Sequence, residues 1–559
     1  NTTSSHVYQA SFDTGAWTGD VQAFSIAVDS ANTSQIQLSA APSWSADQQL
    51  VGRIFLGDTR NIVVGKVSTA AGPTPHPTAT DFTTSAIEQD LKDALDKYNP
   101  MAVADGLWQD RLSFLRGVKS KEGNPFRVRS HVLGDIVNSG VQYVGAPSPT
   151  RGLSDGYASF VTAQSGRAAA VYVGANDGML HAFDATTGSE LFGYIPSWLG
   201  TKLSALTDPA YGVNHQSYVD ATPVIGDAKT GAGSSASDWK TVLVSGTGGG
   251  GRGVFALDVT DPTSFSASRV LWEFTQVHDA DMGFVLGKPR IVKMRTSAPN
   301  AATATYRWFA MVPSGVNNYV DDGTGAFSTT GAPTIFLLAL DKPAGVAWTS
   351  SGANPNYYKI TLPFDSTLAT TTPTYAGLAT GIINLEAFVD SAGVVSYVFA
   401  GDLHGKLWNL DFTGVGASGW TAGQLSRFST GSGTNLVAFP MYIAKDSNGN
   451  VQPITAAPTI LQGYGGSTTH FVGFGTGKYI EGTDSSSTAQ QTYYVLYDNG
   501  RGGGAGGASG VAGIAGRGRL QQVTSDAAGN LSPTAAFTWG RATRDADVTQ
   551  RSGWYYDLG

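Results

Sequence analysis

The chain has 559 residues, of which 41% are hydrophobic and only 14% are charged, with 71 glycines. Its formal net charge of −8 argues against a broad surface for nucleic acid or anionic membrane. It contains no cysteine, which excludes disulfides and thiolate metal sites, and no apolar run reaches the length of a membrane span. This composition predicts β-strands joined by many tight turns.

Two stretches near the N-terminus break the β pattern. Residues 85–98 carry apolar side chains at every fourth position around Leu91, and residues 104–117 place apolar residues on a similar face. Apolar residues at this spacing line one face of an amphipathic helix. We therefore expect a short helical insertion near residues 85–117, within an N-terminal part (1–117) that otherwise contributes strands.

A recurring unit fills most of the remaining chain. In each copy an apolar strand ends in glycine, and the next strand ends in an aspartate turn, as in VYVGANDGMLHAFDATTG. These aspartates stand 70 to 87 residues apart and are Asp184, Asp258, Asp341, Asp411 and Asp498. Self-similarity at this period, with about four strands per unit, is typical of a β-propeller, because a four-stranded sheet buries both faces only between neighbouring sheets. We expect the five aspartates at equivalent corners.

The sequence thus predicts one all-β domain over residues 1–559, a modified, quinoprotein-like β-propeller of roughly seven blades. Repeated units occupy about 118–500, a weaker copy lies at 17–30, and a glycine-rich loop spans 500–519. Closing strands are expected within 520–559, where the last apolar run would pair with N-terminal strands to close the ring.

The turns of this unit look like binding loops but fit hairpins better. Asn176-Asp177-Gly178 and the turn from Asp184 to Gly188 could hold a metal or a phosphate, yet such turns recur wherever the strands recur. Hairpin turns of this kind need a glycine with positive φ. We therefore expect positive φ at Gly178 and Gly188.

Other motifs also have structural explanations. The run 245–251 contains G-x-G-x-x-G, but a strand follows it and not the helix of a dinucleotide site. The acidic cluster 278–281 is interpreted as a turn. The arginine–glycine segment 500–519 lacks aromatic residues, so a flexible loop is favoured over an RNA-binding segment. No catalytic motif such as H-E-x-x-H or G-x-S-x-G occurs, and no catalytic residue is predicted.

Two polar loops offer oxygen atoms that a calcium ion could use. The residues concerned are Asp321, Asp322, Asp446, Asn448 and Asn450. The second loop begins like a calcium loop, but its position 12, where a bidentate acid belongs, is Ala457. Exposed turns are the favoured interpretation of both loops, and no metal or other cofactor is predicted there.

Several longer stretches follow one another in a recognisable order. They include L-G-D-I-V-N-S within 112–145, VYVGANDGMLHAFDA, GTGGGGRGVFALDVTDP, AGDLHGKLWNLDF and GTGKYIEGTD. In these stretches, and over nearly its whole length, the chain resembles the C-terminal domain of the PilY/PilC family of type IV pilus tip adhesins. The resemblance implies a non-enzymatic propeller of an exported Gram-negative protein at the pilus tip, cell surface or outer membrane. It implies that the partners are minor pilins and the pilus tip complex, and that the protein supports pilus extension and twitching motility. It also implies attachment to a host or abiotic surface. Nucleic acid binding and membrane insertion are not expected.

One loop departs from the family pattern. Members often carry an acidic calcium loop immediately before A-G-D-L-x-G, where this chain has FVDSAGVVSYVFAGDLHG. Of the alternating acids only Asp390 remains, and residues 391–395 cannot replace the missing carboxylates. We therefore expect a short metal-free hairpin between Phe388 and Tyr397. The Arg-Gly-Asp tripeptide of integrin-binding members is absent from the sequence.

The repeated G-x-L-x-A-x-D-x-x-T-G pattern also looks like the propeller repeat of quinone-dependent dehydrogenases. An oxidoreductase using pyrroloquinoline quinone (PQQ) would need a cationic pocket, a stacking aromatic residue and a calcium site at the ring's centre. The sequence does not assemble these groups, so this enzyme is the alternative interpretation.

Overall fold

The computed structural model describes residues 6–28, 35–55, 57–66, 78–149, 154–365, 379–433, 435–464, 466–499, 513–540 and 550–558. Within these residues β-strands far outnumber helices, and the helices are short. One compact unit is formed by Asn1–Asp279, Phe284–Ile291 and Leu340–Thr349. A second is formed by Ala280–Gly283, Val292–Ala339 and Ser350–Gly559. The internal boundaries given above for 1–559 stay a prediction.

The first unit opens with a small antiparallel sheet followed by a helix. The sheet contains β1 (His6–Asp13), β2 (Thr18–Val28), β3 (Ile36–Leu38) and β4 (Trp44–Ser45). The helix, α1 (Ala46–Phe55), was not predicted. Only Ala46, Asp47 and Leu50 of it are buried, so no long apolar stripe marks it in the sequence.

The helical insertion is present but shorter than predicted. It contains α2 (Gln89–Leu95) and α3 (Trp108–Leu115), which pack against a 3-10 helix at Ser197–Thr207. The first predicted turn is replaced by a tight turn in which the backbone N–H groups of Ala86 and Ile87 both donate to the carbonyl of Thr83. A further helix, α4 (Tyr157–Ala163), follows later.

A series of mainly antiparallel sheets follows along the chain. A six-stranded sheet contains β5 (Ile62–Gly65), β6 (Ala79–Asp81), β7 (Gln142–Val144), β8 (Ala170–Gly174), β9 (Leu180–Asp184) and β10 (Glu190–Ile195), with β5 parallel to β10. The next is four-stranded, with β11 (Val224–Lys229), β12 (Trp239–Gly246), β13 (Gly253–Asp258) and β14 (Val270–Thr275). Buried side chains of these two sheets share one core, in which the rings of Phe192 and Phe265 stack with centroids 3.8 Å apart.

Three further sheets follow along the chain. One contains β15 (Arg290–Arg295), β16 (Tyr306–Pro313), β18 (Thr334–Ala339) and β19 (Tyr357–Thr361). Another contains β21 (Leu385–Val389), β22 (Val395–Gly401), β23 (Lys406–Asp411) and β26 (Tyr442–Ile443). The last contains β27 (Thr459–Gly463), β28 (Gly466–Gly475), β29 (Gln491–Asp498), β30 (Gln521–Ser525), β31 (Leu531–Pro533) and β34 (Gly553–Leu558).

Short elements complete the fold. They are the strand pairs β17 (Gly315–Val316) with β20 (Gly381–Ile382), β24 (Phe428–Thr430) with β25 (Val437–Phe439), and β32 (Thr538–Trp539) with β33 (Gln550–Arg551), and the helix α5 (Ala422–Leu425).

The recurring aspartates occupy equivalent places in these sheets, as predicted. Each stands at the end of the third strand counted from one edge of its sheet, or just after it, where the edge strands are β7, β11, β15, β21 and β27 and the third strands are β9, β13, β18, β23 and β29. In three of them, Asp184, Asp258 and Asp411, the carboxylate accepts the backbone N–H of a threonine two residues later, at 2.8–3.0 Å. Asp498 differs because it is fully buried and accepts a hydrogen bond from the Asn409 side chain at 2.9 Å. The five aspartates share one position in their sheets, but their hydrogen-bond partners and burial differ from sheet to sheet.

The last strand forms as predicted but pairs differently. Residues 554–558 lie in β34, which is antiparallel to β29 and parallel to β30; pairing with N-terminal strands was the wrong expectation. Gly553 begins the strand with φ 154°, and a Cβ there would collide with the carbonyl of Val495. The absent side chain of Gly553 lets β34 approach β29 closely enough to pair with it. The composition of a strand does not show which strand it pairs with.

Candidate functional site

Four acidic turns that look like ion-binding loops share one hairpin geometry. They have the pattern D-x-x-G-x and begin at Asp390, Asp402, Asp446 and Asp526. In each, the aspartate N–H donates to the carbonyl four residues later, and Oδ1 accepts the N–H groups two and four residues later, at 2.8–3.0 Å. The glycine at the fourth position has φ between 73° and 87°. One carboxylate oxygen of each aspartate is therefore bonded to its own turn.

The Asp390 loop is the short hairpin that the sequence predicts. It joins β21 to β22, and Asp390 Oδ1 accepts the backbone N–H of Ala392 at 2.8 Å and of Val394 at 2.9 Å. Val394 and Val395 are buried, so they serve the strand rather than a ligand shell. The hairpin is confirmed, and its lack of calcium stays a prediction.

The weaker calcium candidates are also exposed turns. Asn450 donates from its side chain to Asp446 Oδ2 at 2.9 Å, and this hydrogen bond contributes most to lowering the pKa of Asp446. Asp321 Oδ1 accepts the N–H of Gly323 at 2.9 Å. Asp322 Oδ1 accepts the hydroxyl of Thr324 at 2.7 Å. Within the described residues, no group of three or more His, Asp or Glu side chains is placed to hold a metal.

The N-D-G turn holds the segment 133–139 in place. The backbone N–H of Gly134 donates to Asp177 Oδ2 at 3.0 Å, and a Cβ on Gly134 would collide with the Asp177 backbone. The side chain of Asn176 donates to Asp135 at 2.7 Å. The L-G-D-I-V-N-S and N-D-G motifs are therefore two halves of one contact. Gly178 has φ 96° and Gly188 has φ 74°, as predicted.

A buried charge network lies beside this turn. Glu190 accepts hydrogen bonds from Arg60 Nε at 2.7 Å and Nη2 at 2.8 Å, and His181 Nδ1 lies 2.8 Å from the same carboxylate. His181 Nε2 lies 3.1 Å from Asp177. Burial disfavours the ionised form of each of these four side chains. Asp177 and Glu190 outweigh burial at His181 and raise its pKa from 6.5 to about 9. Arg60 and His181 outweigh it at Glu190 and hold that pKa well below its usual value.

Sequence reasoning missed this network. Arg60 and Glu190 are 130 residues apart in the chain, so no local pattern links them. The network fixes the hairpin of β9 and β10 against the segment before β5, and Arg60 Nη1 also donates to the carbonyl of Arg116 at 3.1 Å. Two carboxylates face two cationic side chains, which is the arrangement of a structural ion cluster.

The glycine run 245–251 forms a hairpin, as predicted. A 3-10 turn at Gly248–Gly250 leads directly into β13, and a Cβ on Gly250 would collide with the carbonyl of Tyr218. In the segment 500–519, residues 500–512 lie outside the described residues. Its end is fixed by Arg517, whose guanidinium contacts Asp557 at 2.9 Å.

The family model and the most similar relatives found for this chain all name the same family. A family model described as the PilY1 beta-propeller domain matches residues 133–319 and 376–535. The type IV pilus biogenesis factor PilY1 of Pseudomonas aeruginosa strain PAK is 33% identical over 99% of this chain and 44% of its own length. A PilY1 homolog from Xylella fastidiosa is 28% identical over 99% of this chain and 35% of its own length. The chain thus spans less than half the length of these curated relatives.

A solved structure of a PilY1 domain supports this assignment. The crystal structure of the Pseudomonas aeruginosa PilY1 C-terminal domain superimposes with a TM-score of 0.51 at 27% identity, covering 75% of this chain and 77% of that one. A europium-containing methanol dehydrogenase reaches a TM-score of only 0.32 at 13% identity, covering 89% of this chain and 68% of that one. The second likeness is too low to support a quinone-dependent activity.

Proposed function

Because the chain belongs to the PilY1 β-propeller domain family, we propose that it acts in type IV pilus biogenesis as a non-enzymatic factor that also mediates attachment at the pilus tip. The observation that carries this proposal is the match to PilY1 proteins along 99% of the chain. The shared motifs serve the fold: L-G-D-I-V-N-S and N-D-G lock together, and A-G-D-L-H-G forms a D-x-x-G-x hairpin. These contacts hold together the fold that the chain shares with the PilY1 C-terminal domain, which supports the proposal.

The partners and location follow from the same proposal. The domain would be exported, would lie at the pilus tip, cell surface or outer membrane, and would contact minor pilins and a host or abiotic surface. None of the described helices has both the length and the apolar character needed to cross a bilayer. Support of pilus extension and of twitching motility belongs to this proposal.

Deletion of the coding region for residues 1–559 tests the proposed role. We expect loss of surface pili and of twitching motility, restored by the wild-type gene. Gly212→Val should restore both, since nothing lies within 4 Å of a Cβ at Gly212, whereas Gly250→Val should not, because its side chain collides with Tyr218. Normal piliation and motility in the deletion strain would refute the proposal.

The non-enzymatic part needs its own experiment. The purified protein is incubated with PQQ and calcium, and reduction of an artificial electron acceptor is followed with primary alcohols as substrates. We expect no reduction above that of the protein without quinone. Quinone-dependent turnover would establish the oxidoreductase alternative instead.

A further inference from the structure

A polar cleft of about 430 Å³ opens in the first unit, next to the segment 133–139, whose Asp135 lies 3.0 Å from the lining residue His215. It is lined by Tyr98, Asn99, Ala205, Asp208, Asn214, His215 and Gln216. One side is the loop between α2 and α3, and the other is the segment after the 3-10 helix Ser197–Thr207. Its volume falls within the range of small-molecule binding sites.

Both walls of the cleft are held rigidly. The loop between α2 and α3 is fixed by Arg111, which donates to the carboxylate of Asp105 at 2.8 and 2.5 Å and to the carbonyl of Leu95 at 2.9 Å. On the other side, the His215 ring stacks on Trp17 with centroids 3.6 Å apart. A preformed cleft of this kind binds a ligand without the entropic cost of ordering its own loops.

The lining carries hydrogen-bonding groups that the protein does not use. The side chains of Asn214, Gln216 and Tyr98 are exposed, and within the described chain none of their polar atoms bonds to another residue. Asp208 Oδ1 accepts the N–H of Ala210 at 2.8 Å, while Oδ2 faces no donor from the described residues. His215 Nε2 lies 3.0 Å from both carboxylate oxygens of Asp135. The cleft thus offers donors and acceptors side by side.

The charge of the lining selects the ligand class. No lysine or arginine is among the lining residues, and Asp208 is acidic, so a phosphate, a sulfate or a sialylated sugar would meet repulsion. A lining with this many amides and a carboxylate suits an apolar ligand poorly. A sugar hydroxyl both donates and accepts, which matches amides and a carboxylate, and the half-exposed ring of Tyr98 offers a flat apolar face to the C–H side of a pyranose.

We propose that this cleft is a binding site for a neutral, hydroxyl-rich carbohydrate, with Asn214, Gln216 and Asp208 as its hydrogen-bonding groups and Tyr98 as its stacking face. The site goes beyond the pilus role, and a negative result in the piliation experiment would leave it untouched. A peptide is the competing occupant, because Met101 and Val213 are almost fully exposed and adjoin the lining residues in sequence.

Calorimetric titration of the 559-residue protein tests the site. The probes are neutral oligosaccharides of glucose, galactose, mannose and N-acetylhexosamines, beside sialylated and sulfated counterparts. We expect saturable binding of at least one neutral sugar and weaker or no binding of its anionic counterpart. Failure of every neutral sugar to bind at millimolar concentration, or preferential binding of the anionic sugars, would overturn the proposal.

Matched variants locate the binding. Asn214→Ala with Gln216→Ala should weaken it by about tenfold or more, because both amides lose their hydrogen bonds to the sugar. Asn448→Ala, an exposed amide elsewhere in the chain, should bind like the wild type. All these side chains are exposed, so equal melting temperatures are expected. Sugar binding that survives the double replacement, or that is lost on Met101→Ala with Val213→Ala alone, would overturn the proposed site.

Discussion

Replacement of Glu190 by glutamine should be among the most destabilising single-atom changes in this protein. Glu190 accepts two hydrogen bonds from Arg60 and lies 2.8 Å from His181, and the side chains of Arg60 and Glu190 are 2% and 0% exposed. In Glu190→Gln one acceptor oxygen becomes an NH₂ group that faces an N–H donor. A charge-assisted hydrogen bond contributes about 1.5–3 kcal/mol, and breaking a buried ion pair from one side costs about 3–5 kcal/mol. We therefore expect a loss of about 3–5 kcal/mol.

The assay is urea unfolding at pH 7, followed by far-UV circular dichroism and by tryptophan fluorescence. The matched control is Glu88→Gln, because Glu88 pairs with Lys66 at 2.8 Å but is 58% exposed, and exposed pairs contribute only about 0–1 kcal/mol. The double variant Arg60→Met with Glu190→Leu should lose less stability than Glu190→Gln alone, because it leaves no partner of that pair charged. Equal midpoints for Glu190→Gln and Glu88→Gln would refute the reasoning.

Four further predictions concern pH, turns and calcium. The pKa of His181 is about 9 in the folded protein against an ordinary value of 6.5, so folding favours the protonated ring. The free energy of unfolding should therefore fall by up to roughly 3 kcal/mol as pH rises from 6.5 through 9. In urea titrations, His181→Gln should flatten this decline. Burial raises the pKa of Glu273 from 4.5 to about 7, so ionisation penalises the folded state, and stability should also fall from pH 4.5 to 7 in a way that Glu273→Gln abolishes. Gly178→Val and Gly188→Val should each cost more than about 1 kcal/mol because of positive φ, and unchanged melting of both would contradict the turn assignment. Calcium titration of the wild type and of Asp390→Ala should give the same heat and melting temperature; a saturable step present only in the wild type would show that the site survives.

The parts of the fold that were predictable are those encoded locally. The recurring aspartates at equivalent strand ends and the positive φ of Gly178 follow from alternation and turn chemistry within a few residues. The pairing of β34 with β29 and the contact of Arg60 with Glu190 depend on residues far apart in the chain, and no local pattern reports them. The helix α1 was missed because only three of its residues are buried.

The acidic turns illustrate why residue type alone is a poor guide to a site in this fold. An aspartate such as Asp390 or Asp446 looks like a ligand in the sequence, yet its Oδ1 already accepts two backbone N–H groups and fixes the hairpin. A ligand would have to compete with those bonds. The amides of Asn214 and Gln216 carry no sequence motif, but their hydrogen-bonding capacity is unused within the described chain. In this propeller the conspicuous acidic motifs stabilise hairpin turns. A binding site is therefore better sought among polar side chains without a partner in the described chain than among clustered acidic residues.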